Sequence, residues 1–161
     1  MQRPDAEKVH NALAWIVDVL NRHHLPYQVM GGLAAQAYGA TRPLVDIDLY
    51  APLDKAAAML EELRPYVTRE LSPYKSASWD VLFMALEYQG QWIEIGDSST
   101  PCYIFSRLDQ RWVPLVIDFA RSNRMQLYGV EVDVMPKEQL LSYKAMLDRE
   151  VDHLDIADIE G

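Results

Sequence analysis

The stretch VMGGLAAQAYGATRPLVDIDLY, residues 29–50, combines a glycine pair with two acids on one apparent strand. Residues two apart in a strand project from the same face, so Asp46 and Asp48 should point together while their apolar neighbours point to the opposite face. Neighbouring carboxylates repel each other and raise each other's pKa, and a divalent cation bound between them relieves that repulsion. The pattern therefore predicts a metal site, with an ordinary solvent-facing strand as the competing interpretation.

The glycine pair precedes a short run of small residues that is typical of a helix. Backbone N–H groups at such a turn can bind an anion, so Gly31 and Gly32 are candidate phosphate ligands. A tight turn that requires positive φ is the alternative interpretation. Arg42 and Lys144 are candidate cations for the same phosphate groups, with a loop or helix surface as their alternative setting.

A third acid is expected on a neighbouring strand. Glu94 fits best, because the segment WIEIG, residues 92–96, places it between two isoleucines inside a predicted hairpin strand. Asp97, Asp118 and Asp133 remain competitors. Asp152 and Asp155 lie three residues apart beside His153 near the C-terminus. This spacing is compatible with a metal cluster, but a solvated helix end is expected, because only one histidine is present and no other strong ligand set is near.

The order of predicted elements indicates an α+β fold, a mixed β-sheet flanked by α-helices, in one domain covering residues 1–161. The glycines and alternating apolar residues predict hairpins around Gln89–Gly90 and Tyr128–Gly129. The remaining elements are helices at 5–24, 32–39, 54–63, 136–149 and 152–159, strands at 27–30, 44–50, 102–105 and 115–119, and a turn-rich loop at 68–79.

Composition narrows the range of partners. The formal net charge of −9 argues against nucleic acid and suits a small molecule or a metal-dependent site. No apolar run is long enough to span a bilayer, and the polar start MQRPDAEKVH lacks a signal core, so a cytoplasmic protein is expected. Cys102 is the lone cysteine and fits a small core or surface residue better than a nucleophile.

Taken together, Gly31–Gly32, Gly39, Arg42 and the segment Asp46-Ile47-Asp48-Leu49 resemble the signature of the polymerase-β-like nucleotidyltransferase superfamily. The chain is similar to small bacterial aminoglycoside and lincosamide nucleotidyltransferases and to nucleotidyltransferase-like proteins of abortive-infection systems. The ending LLSYKAMLDREVDHLDI, residues 140–156, resembles the Lys–Arg–Asp helical ending of many of those proteins.

The resemblance implies transfer of a nucleoside monophosphate from a triphosphate such as ATP to a hydroxyl of a small molecule, an antibiotic among the candidates. It implies two Mg²⁺ ions held by Asp46, Asp48 and Glu94, with Glu94 as metal ligand or general base. A homodimer is expected. Leu33 and Leu44 stand where many relatives carry a hydroxyl residue, which favours the alternative of a non-catalytic member that binds nucleotide or a partner in a toxin–antitoxin or phage-defence system.

Overall fold

The computed structural model describes residues 3–161; Met1 and Gln2, where the polar N-terminal segment begins, lie outside it. The described chain forms five α-helices and nine β-strands. The helices are α1 (Arg3–Arg22), α2 (Gly31–Ala37), α3 (Ala57–Leu63), α4 (Lys137–Leu147) and α5 (Glu150–Glu160). The strands are β1 (Gln28–Met30), β2 (Asp46–Ala51), β3 (Val67–Lys75), β4 (Trp79–Tyr88), β5 (Gln91–Asp97), β6 (Tyr103–Ser106), β7 (Arg111–Pro114), β8 (Asn123–Leu127) and β9 (Val130–Val134).

All nine strands belong to one sheet with the order β7–β6–β4–β5–β2–β1–β9–β8, and β3 pairs with β4. The pairs β2–β5 and β1–β9 are parallel, whereas every other pair is antiparallel. This mixed sheet with helices around it confirms the predicted α+β class.

The core lies between the sheet and the apolar faces of its helices. In α1, Val9, Leu13, Ile16 and Leu20 recur at helical spacing and are at most 1% exposed. Ile47 and Leu49 of β2 and Ile93 and Ile95 of β5 are equally buried. Full burial of each such side chain contributes about 1.5–3 kcal/mol, so the packing fixes which face of each central strand turns away from the helices.

The two predicted hairpins are confirmed. Gln89 and Gly90 have φ angles of 49° and 86°, and Tyr128 and Gly129 have 50° and 77°. Two successive positive φ angles match the right-handed twist of the flanking strands, which is why glycine occupies the second position of each turn. The hairpin β4–β5 consequently aligns Glu94 with Ala85.

Two predictions were wrong. Residues 68–79 are not a loop, because most of them form β3 against β4 and only residues 76–78 turn. The polar and proline-containing sequence concealed a strand whose side chains are largely exposed. No strand forms at 115–119; the strand is β7, which ends at Pro114, and a 3₁₀ turn at Phe119–Arg121 follows.

Candidate active site

Three carboxylates meet on one face of the central strands. The parallel pairing of β2 with β5 places Asp48 directly beside Glu94 and Asp46 beside Trp92. Asp46 and Glu94 project from the same face as Asp48, and one oxygen of each acid lies within 4.8 Å of the others. The structure thus brings together the three acids that the sequence analysis selected.

The electrostatics of this acidic triad are unfavourable without a counter-ion. Burial, together with the charges of Glu94 and Asp46, raises the pKa of Asp48 well above its usual range. Burial also raises the pKa of Asp46, and burial with the charge of Asp46 raises that of Glu94. Oδ1 of Asp48 is buried and has no hydrogen-bond partner among the described residues.

The triad fits a divalent metal. Its ligands are hard carboxylate oxygens, the donor type that Mg²⁺ prefers, and they converge within one coordination sphere's reach. A cation at this position would give the buried oxygen of Asp48 a partner and offset the repulsion among the carboxylates. Asp46, Asp48 and Glu94 are therefore the residues that would hold it.

The backbone at Gly31 passes so close to Asp48 that the position has no room for a side chain. It has φ of +64°, and a Cβ atom at this position would lie 2.5 Å from Oδ2 of Asp48. Its N–H donates a hydrogen bond of 2.8 Å to the hydroxyl of Tyr143. Of the glycine pair, Gly31 already has a partner for its N–H, and Gly32 follows in the first turn of α2.

The competing acids lie elsewhere. Asp97 accepts hydrogen bonds from the Leu53 N–H and from Ser99 and Thr100. These bonds lower the pKa of Asp97 overall, although burial alone would raise it. Asp118 caps the 3₁₀ turn at Phe119–Arg121, and Asp133 pairs with Arg124.

Two cavities open beside the triad. The aromatic cavity, about 420 Å³, is lined by all three acids and by Tyr74, Trp79, Phe83 and Tyr143. The basic cavity, about 200 Å³, is lined by both glycines of the pair and by Arg42, Lys144 and Arg149. Asp46 and Asp48 line both cavities, so the carboxylates stand where the two spaces meet.

The C-terminal acids are not solvated, which corrects the prediction for them. Asp152 and Asp155 are fully buried, and so is Lys144, which is 1% exposed rather than on the helix surface. Lys144 contacts both carboxylates, Arg42 pairs with Asp155 and Arg149 pairs with Asp152. The two cations proposed from the sequence therefore border the basic cavity while bound to buried acids.

Sequence reasoning missed Arg149 and Tyr143 as residues of this site. The Lys–Arg–Asp ending carried a signal for Arg149, since that segment was singled out as a motif. Tyr143 gave none, because an aromatic residue on a helix ordinarily belongs to the core.

The order and pairing of the strands and the helices around them form a fold that solved nucleotidyltransferase structures share. The chain matches a nucleotidyltransferase structure from Thermotoga maritima with a TM-score of 0.68 and 19% identity, covering 88% of this chain and 84% of that one.

Two antibiotic-modifying enzymes share the fold. A lincomycin-bound lincosamide antibiotic adenylyltransferase matches with a TM-score of 0.61 and 15% identity, covering 92% of this chain and 94% of that one. ANT(2'')-Ia in complex with adenylyl-2''-tobramycin matches with a TM-score of 0.57 and 16% identity, covering 93% and 86%.

No protein-family model and no curated protein sequence matches the chain. Among the described residues, no helix combines the length and apolar character needed to cross a membrane.

Proposed function

We propose that the protein is a metal-dependent nucleotidyltransferase that moves a nucleoside monophosphate from a nucleoside triphosphate to a hydroxyl of a small molecule. The observation that carries the proposal is the convergence of Asp46, Asp48 and Glu94 between two cavities of different chemistry. The shared fold with adenylyltransferases supports the same reaction class.

The basic cavity suits the triphosphate. Arg42 and Arg149 supply positive charge at its wall, and Gly32 leaves space beside them. Mg²⁺ held by the triad would neutralise charge on the transferring phosphoryl group. The carboxylates would fix the position of that cation. Arg149 lines both cavities, as Asp46 and Asp48 do.

The aromatic cavity suits the acceptor. Its volume lies within the range that holds small ligands, and its aromatic walls can pack on the apolar faces of a hydroxylated ring. Glu94 faces this cavity, so its carboxylate is placed to accept the proton of the attacking hydroxyl. The new bond joins the acceptor oxygen to the α-phosphorus, and the bond from that phosphorus to the departing pyrophosphate breaks.

Antibiotics are the first acceptors to test, because two proteins of the same fold are antibiotic adenylyltransferases. The assay measures pyrophosphate release from each common nucleoside triphosphate with Mg²⁺ and a panel of lincosamides, aminoglycosides and other hydroxylated compounds. Asp46→Asn, Asp48→Asn and Glu94→Gln should each lower turnover by about 100-fold, because each removes charge that organises the transition state.

Asp133→Asn is the matched control, since Asp133 is an acid on a nearby strand that pairs with Arg124 instead of joining the triad. Its turnover should equal that of the wild type. Nucleotide binding without turnover across the whole panel would refute the enzymatic proposal and favour a binding protein.

A further inference from the structure

A cluster of five charged residues lies behind and beside the basic cavity. This charge cluster consists of Arg42, Lys144, Arg149, Asp152 and Asp155. Its centre is Lys144, whose Nζ lies 3.3 Å from Oδ1 of Asp152 and 3.0 Å from Oδ2 of Asp155. All three of these central groups are buried, so the cluster is built into the fold rather than spread over a solvated surface.

Each buried carboxylate accepts two hydrogen bonds from the side chain of one arginine, in both cases from the guanidinium edge formed by Nε and Nη2. Nε and Nη2 of Arg42 donate to Asp155 at 2.8 and 2.7 Å. Nε and Nη2 of Arg149 donate to Asp152 at 2.7 and 3.0 Å. Because a guanidinium carries five N–H donors, this arrangement leaves the Nη1 edge of both arginines without an acceptor among residues 5–161.

Both arginine side chains remain partly exposed although their partners are buried. The side chains of Arg42 and Arg149 are 28% and 48% exposed, whereas the carboxylates that hold them are at 0%. Both arginines line the basic cavity together with Gly31 and Asp48. Three cations against two carboxylates give the cluster a net charge of +1. Asp46 and Asp48 also line the cavity, and a divalent cation held by the triad would offset their charge, so the site would then favour an oxyanion.

We infer that Arg42 and Arg149 are the two arms of an anion clamp for the phosphate chain, and that Asp152 and Asp155 are positioning residues that aim those arms. The inference rests on the proposed function and deepens it. Lys144 neutralises the two positioning carboxylates from within the fold and keeps their orientation fixed. The ligand class is a linear polyphosphate, carried by a nucleoside in the proposed reaction.

A purely structural cluster would also join α5 to the rest of the fold, and the two roles make opposite predictions for Asp152→Asn and Asp155→Asn. Each substitution removes a negative charge near the cavity. If only net charge mattered, the variants would bind an anion more tightly. If the carboxylates position the arginines, binding should weaken by about tenfold, the scale of one misplaced charge-assisted hydrogen bond.

The experiment measures binding of tripolyphosphate and of ATP, each with Mg²⁺, by isothermal titration calorimetry on the full chain. Arg42→Lys and Arg149→Lys keep the charge but lose the forked geometry, so each should also weaken binding about tenfold while largely keeping the ion pair and the melting temperature. These variants decide the matter if an Asp→Asn variant does not fold.

Asp158→Asn is the matched control. Asp158 lies one turn beyond Asp155 on α5 and accepts hydrogen bonds from the N–H and the hydroxyl of Thr41. The substitution therefore weakens a contact of the same helix without removing a hydrogen bond to Arg42 or Arg149. Its tripolyphosphate affinity should equal that of the wild type.

Unchanged or tighter tripolyphosphate binding by the folded Asp152, Asp155 or Arg→Lys variants would overturn the clamp. The proposed function fails separately. If the wild type binds tripolyphosphate through these residues but turns over no substrate, the clamp stands and the enzymatic proposal is refuted. If the wild type turns over substrate but the clamp variants bind tripolyphosphate as well as it does, the enzymatic proposal stands and the clamp is refuted.

Discussion

Gly31 and Gly32 are neighbours, but only Gly31 is constrained both by its backbone and by its surroundings. A Cβ at Gly31 would meet Asp48 Oδ2 at 2.5 Å with φ at +64°, whereas a Cβ at Gly32 would contact Leu44 at an ordinary 3.5 Å. Gly31→Ala should lower the free energy of unfolding by about 1–3 kcal/mol, the cost of a strained backbone, and displace the side chain of Asp48.

Gly32→Ala is the control for that prediction. It lies in the first turn of α2 and should leave stability unchanged or raise it by up to about 1 kcal/mol, because alanine favours the helix. Urea unfolding of both variants measures the difference. Equal effects of the two substitutions would show that the approach of Asp48 to Gly31 does not constrain the chain.

Asp48 should weaken the metal-free protein at neutral pH. Its folded pKa is raised by burial and by the neighbouring acids, so its contribution to stability is present below the ordinary value of 3.8 and is lost as the pH rises through the folded pKa. In EDTA at pH 7, Asp48→Asn should therefore raise the free energy of unfolding by about 1 kcal/mol, the scale of an unsatisfied buried polar group.

Mg²⁺ should reverse this order. The cation stabilises the folded wild type by mass action, whereas the variant lacks a ligand and gains less. Denaturant midpoints in EDTA and in Mg²⁺ measure both effects. A variant that is less stable than the wild type in EDTA at pH 7 would contradict the repulsion described for the triad.

At the scale of elements, the turn of the β4–β5 hairpin is open to improvement. Gln89 adopts φ of 49°, which is costly for glutamine and tolerated by asparagine. Gln89→Asn should stabilise the protein by about 0.5 kcal/mol, and Gly90→Ala, with φ at +86°, should destabilise it by about 1 kcal/mol. Thermal unfolding measures both, and destabilisation by Gln89→Asn would contradict the turn assignment.

These elements also show what the sequence could and could not predict. The hairpins were predictable because Gln89–Gly90 and Tyr128–Gly129 are local signals between alternating strands. The strand β3 was missed because its polar residues and Pro73 mark a loop, while the force that extends it comes from pairing with β4. Pairing between distant segments overrides such local composition.

At the scale of the whole molecule, the charge cluster fastens α5 to α4 and to the loop after α2. Burial alone would raise the pKa of Asp152 and Asp155, but the hydrogen bonds from Arg149 and Arg42 and the charge of Lys144 lower both below the ordinary 3.8. Their stabilisation is present above 3.8 and is lost as the pH falls through the lowered folded values.

Asp155→Asn should therefore cost about 3 kcal/mol at pH 7, the scale of breaking a buried ion pair, and this difference from the wild type should shrink below about pH 4. Urea unfolding across a pH series measures it. Asp158→Asn, which removes an acid from the exposed end of α5, should cost less at pH 7. A difference between Asp155→Asn and the wild type that grows in acid would contradict the sign of the shift.

The same long-range character explains which parts of the site were predictable. Asp46 and Asp48 share a face by simple alternation, and Glu94 follows from the adjoining hairpin. The pairing of Arg42 with Asp155 joins residues 113 positions apart, so no local pattern reveals it. Asp152 and Asp155 look like surface residues in the sequence, but they are buried and pair with the cations of the site.

Because β2 and β5 pair in regular register, the residues of the candidate site and the residues of the core occupy opposite faces of these two strands. The even-numbered positions 46, 48 and 94 line the cavities and position 92 is exposed on the same face, while odd-numbered ones such as 47, 93 and 95 are buried in the core. A mutant library confined to position 92, its cross-strand neighbour Glu87, and Ala85, which is the cross-strand neighbour of Glu94, would therefore vary the surroundings of the acids without altering a fully buried side chain. Under the proposed function, such substitutions would change which acceptor the protein takes while its fold is kept.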